Sequence, residues 1–251
     1  MIGLRAASVS AVAVIVPARN EENAIVACLD SIAVARQHLA AVSPRPISVS
    51  VAVVLDRCTD RTADRVASFG GVQALITDLG QVGAARAHGS AELLSRSSTP
   101  LARLWLANTD ADSTVPPHWL SAMVAEADRG ADVVLGTVTP DQFISTALAH
   151  AWRSHHIRRD GHPHVHGANF GIRASSYLDL GGWSSLATGE DVLMATRATA
   201  AGHLQIVRSA GIEVTTSSRL AGRAPLGFAN YLRELADPEL LARPAVAGLT
   251  V

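Results

Sequence analysis

Leu101–Asp112 reads LARLWLANTDAD, an apolar run holding Trp105 that stops abruptly at Asn108-Thr109-Asp110-Ala111-Asp112. The run from Leu101 to Ala107 predicts a buried strand, and Pro116-Pro117 just beyond it can open the next helix. Two carboxylates therefore stand at the carboxyl end of a strand. With one residue between them, extended backbone directs both side chains to one face, and a tight turn could converge them on one cation. Hard oxygen donors suit Mg²⁺ or Mn²⁺, above all where substrate phosphates complete the shell. The alternative at this point is that Asp110 or Asp112 caps the helix beginning near Pro116.

Working outward, the same pattern recurs on both sides. Ala11 to Val16 (AVAVIV) is a β-branched run of the kind covered on both faces, ended by Pro17. Asn20 then reads as the cap of a helix with Glu21, Glu22 and Asn23 in its first turn and Ile25, Val26, Leu29, Ile32 and Ala33 on its apolar face. Ile47 to Leu55 (ISVSVAVVL) is a second strand ending at Asp56, followed by a helix from Thr59 or Asp60 to about Phe69. Val72 to Ile76 reads as a short strand, Gly80-Gln81-Val82-Gly83 as a helix start, Pro117 to Arg129 as a helix and Ala131 to Val138 as a strand. This alternation predicts an α/β fold with a mostly parallel, Rossmann-like central sheet flanked by helices. Ligands bind such sheets outside the carboxyl ends of the strands, where Pro17-Ala18-Arg19-Asn20, Asp56 and Asp110-Ala111-Asp112 all fall. Beyond Thr139 the pattern loosens, although Phe170 to Arg173, Leu204 to Val207 and Ile212 to Thr216 still read as strands. One domain spanning 1–251 is expected, with a regular first half at about 11–138, a looser second half at about 139–225 and a helical tail at about 226–251.

Composition excludes several classes. The 251 residues are 48% hydrophobic, enough for a substantial core. A net charge of −1 argues against a nucleic-acid partner. All 21 basic residues are arginine, so a Schiff-base lysine and a Walker phosphate loop are both excluded. Cys28 and Cys58 make no metal spacing and read as two reduced thiols, with a cytoplasmic location expected. No apolar run approaches the roughly 18 residues of a membrane span, which leaves peripheral membrane contact open.

The motifs taken together resemble the family 2 glycosyltransferases of GT-A fold. They are Val-Pro-Ala-Arg-Asn-Glu-Glu at 16–22, Asp56, Gly-Ala-Ala-Arg at 83–86, Asp-Ala-Asp at 110–112, Gly-Ala-Asn-Phe-Gly-Ile-Arg at 167–173, Gly-Gly-Trp at 181–183 and Gly-Glu-Asp at 189–191. The resemblance covers about residues 11–219. It implies a nucleotide-sugar donor, a UDP- or GDP-sugar, whose nucleoside is cradled by Pro17, Arg19, Glu21 and Asp56. Where many relatives carry a second Asp after the first, this chain has Arg57, which alters the expected base contact. Arg86 is implied near the sugar or diphosphate, its alternative being a solvated helix arginine. Asp110 is implied beside the sugar or ribose, and Asp112, with Asp110, at a Mn²⁺ or Mg²⁺ ion bridging the diphosphate. His203 and His166 are the candidates for a third ligand. Asp191, with Glu190 beside it, is implied as the general base of an inverting transfer, since a helix start keeps a carboxylate ionised. Ordinary helix capping is the alternative for that pair.

The acceptor is unidentified, and four residues are candidates for it: Asn169, Trp152, His166 and Arg158. Trp152 to His166 (WRSHHIRRDGHPHVH) reads as a pocket for an anionic group, as an extra metal site, or as a solvated lid. His162, His164 and His166 alternate as on one strand face. Ser217-Ser218-Arg219 and Gly222-Arg223 suggest a loop over the diphosphate. The rival readings are a retaining synthase or a sugar nucleotidyltransferase on the same fold and, more distantly, a dehydrogenase or a non-catalytic sugar-nucleotide-binding module. The dehydrogenase lacks its glycines at 17–22.

Overall fold

In the computed structural model the described residues are 7–143, 145–219 and 227–236. The first strand is β1 (Ala11–Ala18), and its alternate residues go to opposite faces. Val12, Val14 and Val16 enter one hydrophobic layer with helix α1 (Ile25–Val42), while Ala11, Ala13 and Ile15 enter the other. The continuous apolar run is therefore the signature of a strand buried on both sides. Strand β2 (Ser48–Asp56) runs parallel to β1, helix α2 (Thr62–Ala67) follows, and β3 (Val72–Thr77) adds a parallel edge. Helix α3 (Val82–Ser95) crosses back on the second face, and β4 (Leu104–Asn108) pairs parallel with β1 on its other side. The reversal of strand order at β1 makes a crevice above β1 and β4, the place where such sheets bind ligands.

Past β4 the sheet becomes mixed. Short β5 (Ser113–Thr114), helix α4 (Trp119–Asp128), β6 (Val133–Pro140), α5 (Thr146–His155), β7 (Phe170–Arg173), α6 (Ala174–Asp179), α7 (Glu190–Ala201), β8 (Ile206–Thr216) and α8 (Phe228–Ala236) complete the described chain. The sheet order is β3-β2-β1-β4-β7-β6-β8-β5. β7 lies antiparallel between β4 and β6, and β8 runs parallel to β6 with a bulge beside Gly136 and Thr137. The expected strands at 204–207 and 212–216 are one bulged strand.

Asn169 fills that bulge. Its Nδ2 donates to the carbonyls of Thr137 (2.8 Å) and Ile212 (2.9 Å), and its Oδ1 accepts from Trp119 Nε1 (3.0 Å). A Cβ on Gly136 would stand 2.2 Å from Asn169 Nδ2, so only glycine fits there. Arg173, at the end of β7, donates to the carbonyls of Ala7, Ala102, Ala127 and Ala131 and so joins the bottom of the sheet.

Two local expectations change. Asn20 is not a helix cap: α1 begins at Ile25, with Ala24 at its cap position. Asn20 instead adopts φ 54°, and its Oδ1 accepts from the amide of Thr59 at 2.7 Å, tying the β1 edge to the loop after β2. Helix α1 itself is 18 residues with a mean hydropathy of 1.4, long and apolar enough by those measures to cross a membrane. It contradicts the expectation that no segment approaches that length. The helix nevertheless buries Ile25, Cys28, Leu29, Ile32 and Leu39 against the sheet, the behaviour of a core helix.

Candidate active site

The carboxyl ends of β1, β2 and β4, the start of α7, the end of β8 and one side of α8 enclose a cavity of about 810 Å³. Pro17, Arg19, Glu21, Asp56, Arg86, Asp110, Asp112, His166, Glu190 and Asp191 all line it, so the sequence motifs converge although they span 175 residues of chain. Among the described residues seven carboxylates and three arginines line this cleft, an excess of acidic over basic side chains.

Asp110 and Asp112 sit in the turn after β4. The turn is held from below by Cys28 of α1, whose thiol donates to the carbonyl of Asp110 (3.4 Å), and from the side by the amide of Ser217, which donates to the carbonyl of Asp112 (3.1 Å). Burial, then the neighbouring Asp110, pushes the Asp112 carboxyl up to about 6; Arg219 pulls the other way and Glu21 adds to the rise. Arg219 reaches in from the end of β8, its two terminal nitrogens donating to both oxygens of Glu21 (2.8 Å each) and one of them also meeting Asp112 Oδ2 at 2.8 Å. A guanidinium therefore already occupies a cation's place between Glu21 and Asp112.

The raised Asp112 value sets a pH dependence. A carboxyl whose folded pKa lies above its unfolded one contributes stability below about pH 4 that is lost as pH rises through about 6. A divalent cation needs the ionised form. Mn²⁺ stabilisation, read as the rise in Tm on adding the ion, is accordingly expected to grow from pH 5 to 7 and level off above. A Tm rise independent of pH over that range would contradict this.

Arg86 joins the two ends of the cleft. Although it lies on α3, it is buried, its Nη2 donating to Asp110 Oδ1 (2.5 Å) and its Nε to Glu190 Oε1 (3.1 Å). It is not a solvated helix arginine. Both partners raise its pKa against the effect of burial. Replacing it by Met would strand the buried Glu190 charge, an error that costs about 3–5 kcal/mol. Urea unfolding of Arg86→Met should show a loss of that order, and the double variant with Glu190→Gln should recover most of it; equal losses in the two would contradict the pairing.

Glu190 and Asp191 open α7 behind Gly189, which adopts φ 78°. That left-handed conformation, rather than any close approach, is what glycine supplies at this cap, because an added Cβ would meet nothing. The pair divides its work. Glu190 faces Arg86, whereas Asp191 Oδ2 accepts from the amide of Gly167 (2.6 Å) and its Oδ1 from that of Val192 (2.8 Å). Burial raises the Asp191 pKa above the usual carboxylate range, offset in part by Arg86 and by the two amides. Gly167 must lack a side chain, since its Cβ would stand 2.5 Å from Arg86 Nη2.

Asp56 lies at the inner end of the cleft, where it accepts from the amides of Leu79 (2.6 Å) and Gly80 (2.9 and 3.0 Å) and so fixes the loop leading into α3. Arg57, in the position expected to alter the base contact, folds onto that loop and pairs with Asp78 at the surface.

Three of the four acceptor candidates do not line the cleft. Asn169 is committed to the sheet bulge, and Trp152 is core, stacked on His156 at 4.4 Å. Arg158 points outward to Glu213 (3.0 Å). The fourth, His166, does line it. The histidine-rich stretch is neither strand nor solvated lid: His156, His162 and His164 are buried, with rings in sequence at 4.4 Å (His156–His164) and 5.6 Å (His162–His164). Burial pushes His156 and His166 down to about 3 and His164 to about 4, so the stack is neutral. An anion pocket there would need charge it does not have. His203 is exposed and outside the cleft, and among the described residues no set of three His, Cys, Asp or Glu forms a ready metal cluster. Gly222 and Arg223 lie outside the described residues. Phe228, Asn230, Tyr231 and Glu234 of α8 line the cleft without having been anticipated; no local pattern signals it, because α8 is placed by packing Phe228 and Tyr231 against Trp152.

A mixed sheet with acidic turns at one crevice is the architecture of the GT-A glycosyltransferases. The chain belongs to glycosyl transferase family 2, whose family model matches residues 13–180. In fold it is similar to S. aureus TarS 1-349, at 17% identity and TM-score 0.57 over 82% of this chain and 60% of that one. It is similar also to TarS 1-349 in complex with UDP-GlcNAc, at 16% identity and TM-score 0.60 over 94% of this chain and 68% of that one. The mannosyltransferase PcManGT from Pyrobaculum calidifontis, in complex with GDP-Man and Mn²⁺, shares 20% identity and TM-score 0.57 over 92% of this chain and 71% of its own. The chain thus spans under two thirds of the first of these relatives. No curated protein matches it in sequence.

Proposed function

We propose that the protein transfers a sugar from a UDP- or GDP-sugar to an acceptor hydroxyl, with inversion, in a cation-dependent reaction. The observation that carries this reading is that Asp110, Asp112 and Asp191 face one cleft, with Arg86 bridging Asp110 to Glu190, the neighbour of Asp191. Pro17, Arg19, Glu21 and Asp56 then receive the nucleoside.

The oxygen donors of Asp110 and Asp112, the charge excess around them and the guanidinium lodged between Glu21 and Asp112 suit Mn²⁺ or Mg²⁺. Such an ion, when bound, offsets the negative charge that gathers on the departing diphosphate. Arg219, held by Glu21 and Asp112, would offer its planar fork to the phosphates were such an ion held by Asp112. Asp191, more basic than an ordinary carboxylate and fixed by two backbone amides, takes the proton of the acceptor hydroxyl as that oxygen attacks the anomeric carbon. Glu190 is a positioning residue that holds Arg86. The two unpaired cysteines, one of them buried, are in keeping with a cytoplasmic setting.

The test is release of nucleoside diphosphate from UDP- and GDP-sugars with Mn²⁺ present, with the product anomer read by proton NMR. Inverted product is expected. Retained configuration, or release of pyrophosphate instead, would overturn the reading.

A further inference from the structure

We infer that the acceptor subsite is the wall α8 builds beside Asp191, and that it takes an uncharged hydroxyl on a ring with an apolar face, such as a neutral glycoside, rather than a phosphorylated or carboxylated acceptor. This deepens the glycosyltransferase reading and rests on it.

The wall begins one residue from the group that holds the base. Gly167 donates its amide to Asp191, and the ring of His166 just before it meets Phe228 of α8 edge to face, at 6.3 Å and 88°. Tyr231, one helical turn further on, lines the same cleft. Across from them Leu186 and Val192, 38% and 40% exposed, present apolar side chains at the cleft's edge. Phe228, Leu186 and Val192 carry no charge, and burial followed by Glu234 raises the Tyr231 phenol, keeping its proton on.

Charge decides against an anionic acceptor. Among the described residues lining the cleft the cations are Arg19, Arg86 and Arg219. Arg86 is held between Asp110 and Glu190, Arg219 by Glu21 and Asp112, and Arg19 stands just past the end of β1. The acceptor side carries Asp191 and Glu234 instead, and Glu234 is already engaged by Asn230 Nδ2 at 2.6 Å. An anion placed there would meet like charge, with no unpaired cation from α8 or α7 among the described residues lining the wall. An aromatic wall with polar groups at its edge suits a ring that offers one apolar face and a rim of hydroxyls.

The experiment uses the full chain with Mn²⁺ and a nucleotide-sugar that raises its Tm, and compares p-nitrophenyl glycosides with the corresponding sugar 6-phosphates as acceptors. The neutral glycosides should be preferred by at least about tenfold in kcat/KM. Tyr231→Ala should raise KM for them by about tenfold, with kcat changed far less, and Tyr231→Arg should narrow or reverse the preference. The wild-type comparison does not depend on the folding of either variant. Phosphorylated acceptors that do as well or better, no acceleration by any neutral acceptor, or an unmoved KM in Tyr231→Ala would each overturn the inference while a bound donor leaves the parent reading standing. Flat thermal curves with every nucleotide-sugar, seen before an acceptor is added, would instead remove the donor reading and this one with it.

Discussion

Asp191→Asn is expected to lower acceptor-dependent turnover by roughly 10²–10⁴-fold, the usual worth of a general base, while the donor's affinity changes little. The substitution keeps the shape and leaves one oxygen able to accept from the Gly167 amide, at the expense of the Val192 contact, so the 167 turn should hold. What it removes is basicity, which burial has raised above the ordinary carboxylate level. Glu190→Gln makes the contrast. It weakens the Arg86 contact and should cost stability as well as rate, because Glu190 is tied to a buried guanidinium. Turnover of Asp191→Asn within a few-fold of wild type, measured under saturating donor, would remove Asp191 from the chemistry and leave helix capping as its role.

Asp112→Ala should abolish cation-dependent binding of the donor. Changing groups that merely support a ligand costs metal affinity about 10–100-fold, and loss of a direct oxygen donor should cost at least that. The apoprotein, by contrast, is expected to keep or gain Tm at pH 7.5. Asp112 sits where burial and Asp110 penalise its charge, so removing it relieves more than it forfeits, and Arg219 retains both oxygens of Glu21. Calorimetric titration of the donor with and without Mn²⁺ reads the first effect, and thermal unfolding reads the second. A variant that binds donor with the same Mn²⁺ dependence as wild type would show that the cation is held elsewhere.

The parts of this molecule visible in the sequence are those whose signal is local and periodic. β1, β2 and β4 announce themselves as apolar runs because both faces are buried, and the polar residues ending them mark the rim of the crevice. The Asp-Ala-Asp turn and the Gly-Glu-Asp start of α7 could be placed at element ends without knowing that they meet. That meeting depends on Arg86, whose bonds cross 24 and 104 residues of chain. Long-range partners explain the misreadings too. Asn20 has the local look of a helix cap, but its side chain is taken by Thr59, 39 residues on. Asn169 looks like a turn residue available to a ligand, yet it satisfies the carbonyls that the bulge in β8 leaves unpaired. The alternating histidines suggest a strand face; their rings do stack, but in irregular backbone, with His162 and His164 buried and His166 at the cleft. The antiparallel direction of β7 is invisible in four apolar-framed residues, since pattern carries no direction.

The proposed function turns on one cleft binding a nucleotide-sugar together with a cation. A thermal-shift panel of UDP-, GDP- and dTDP-sugars, each with and without Mn²⁺, tests it most directly, because a ligand selective for the folded state raises its apparent stability. At least one sugar nucleotide should raise Tm in the presence of Mn²⁺ and do so much less without it. Identical curves across the whole panel, with and without the ion, would contradict the claim.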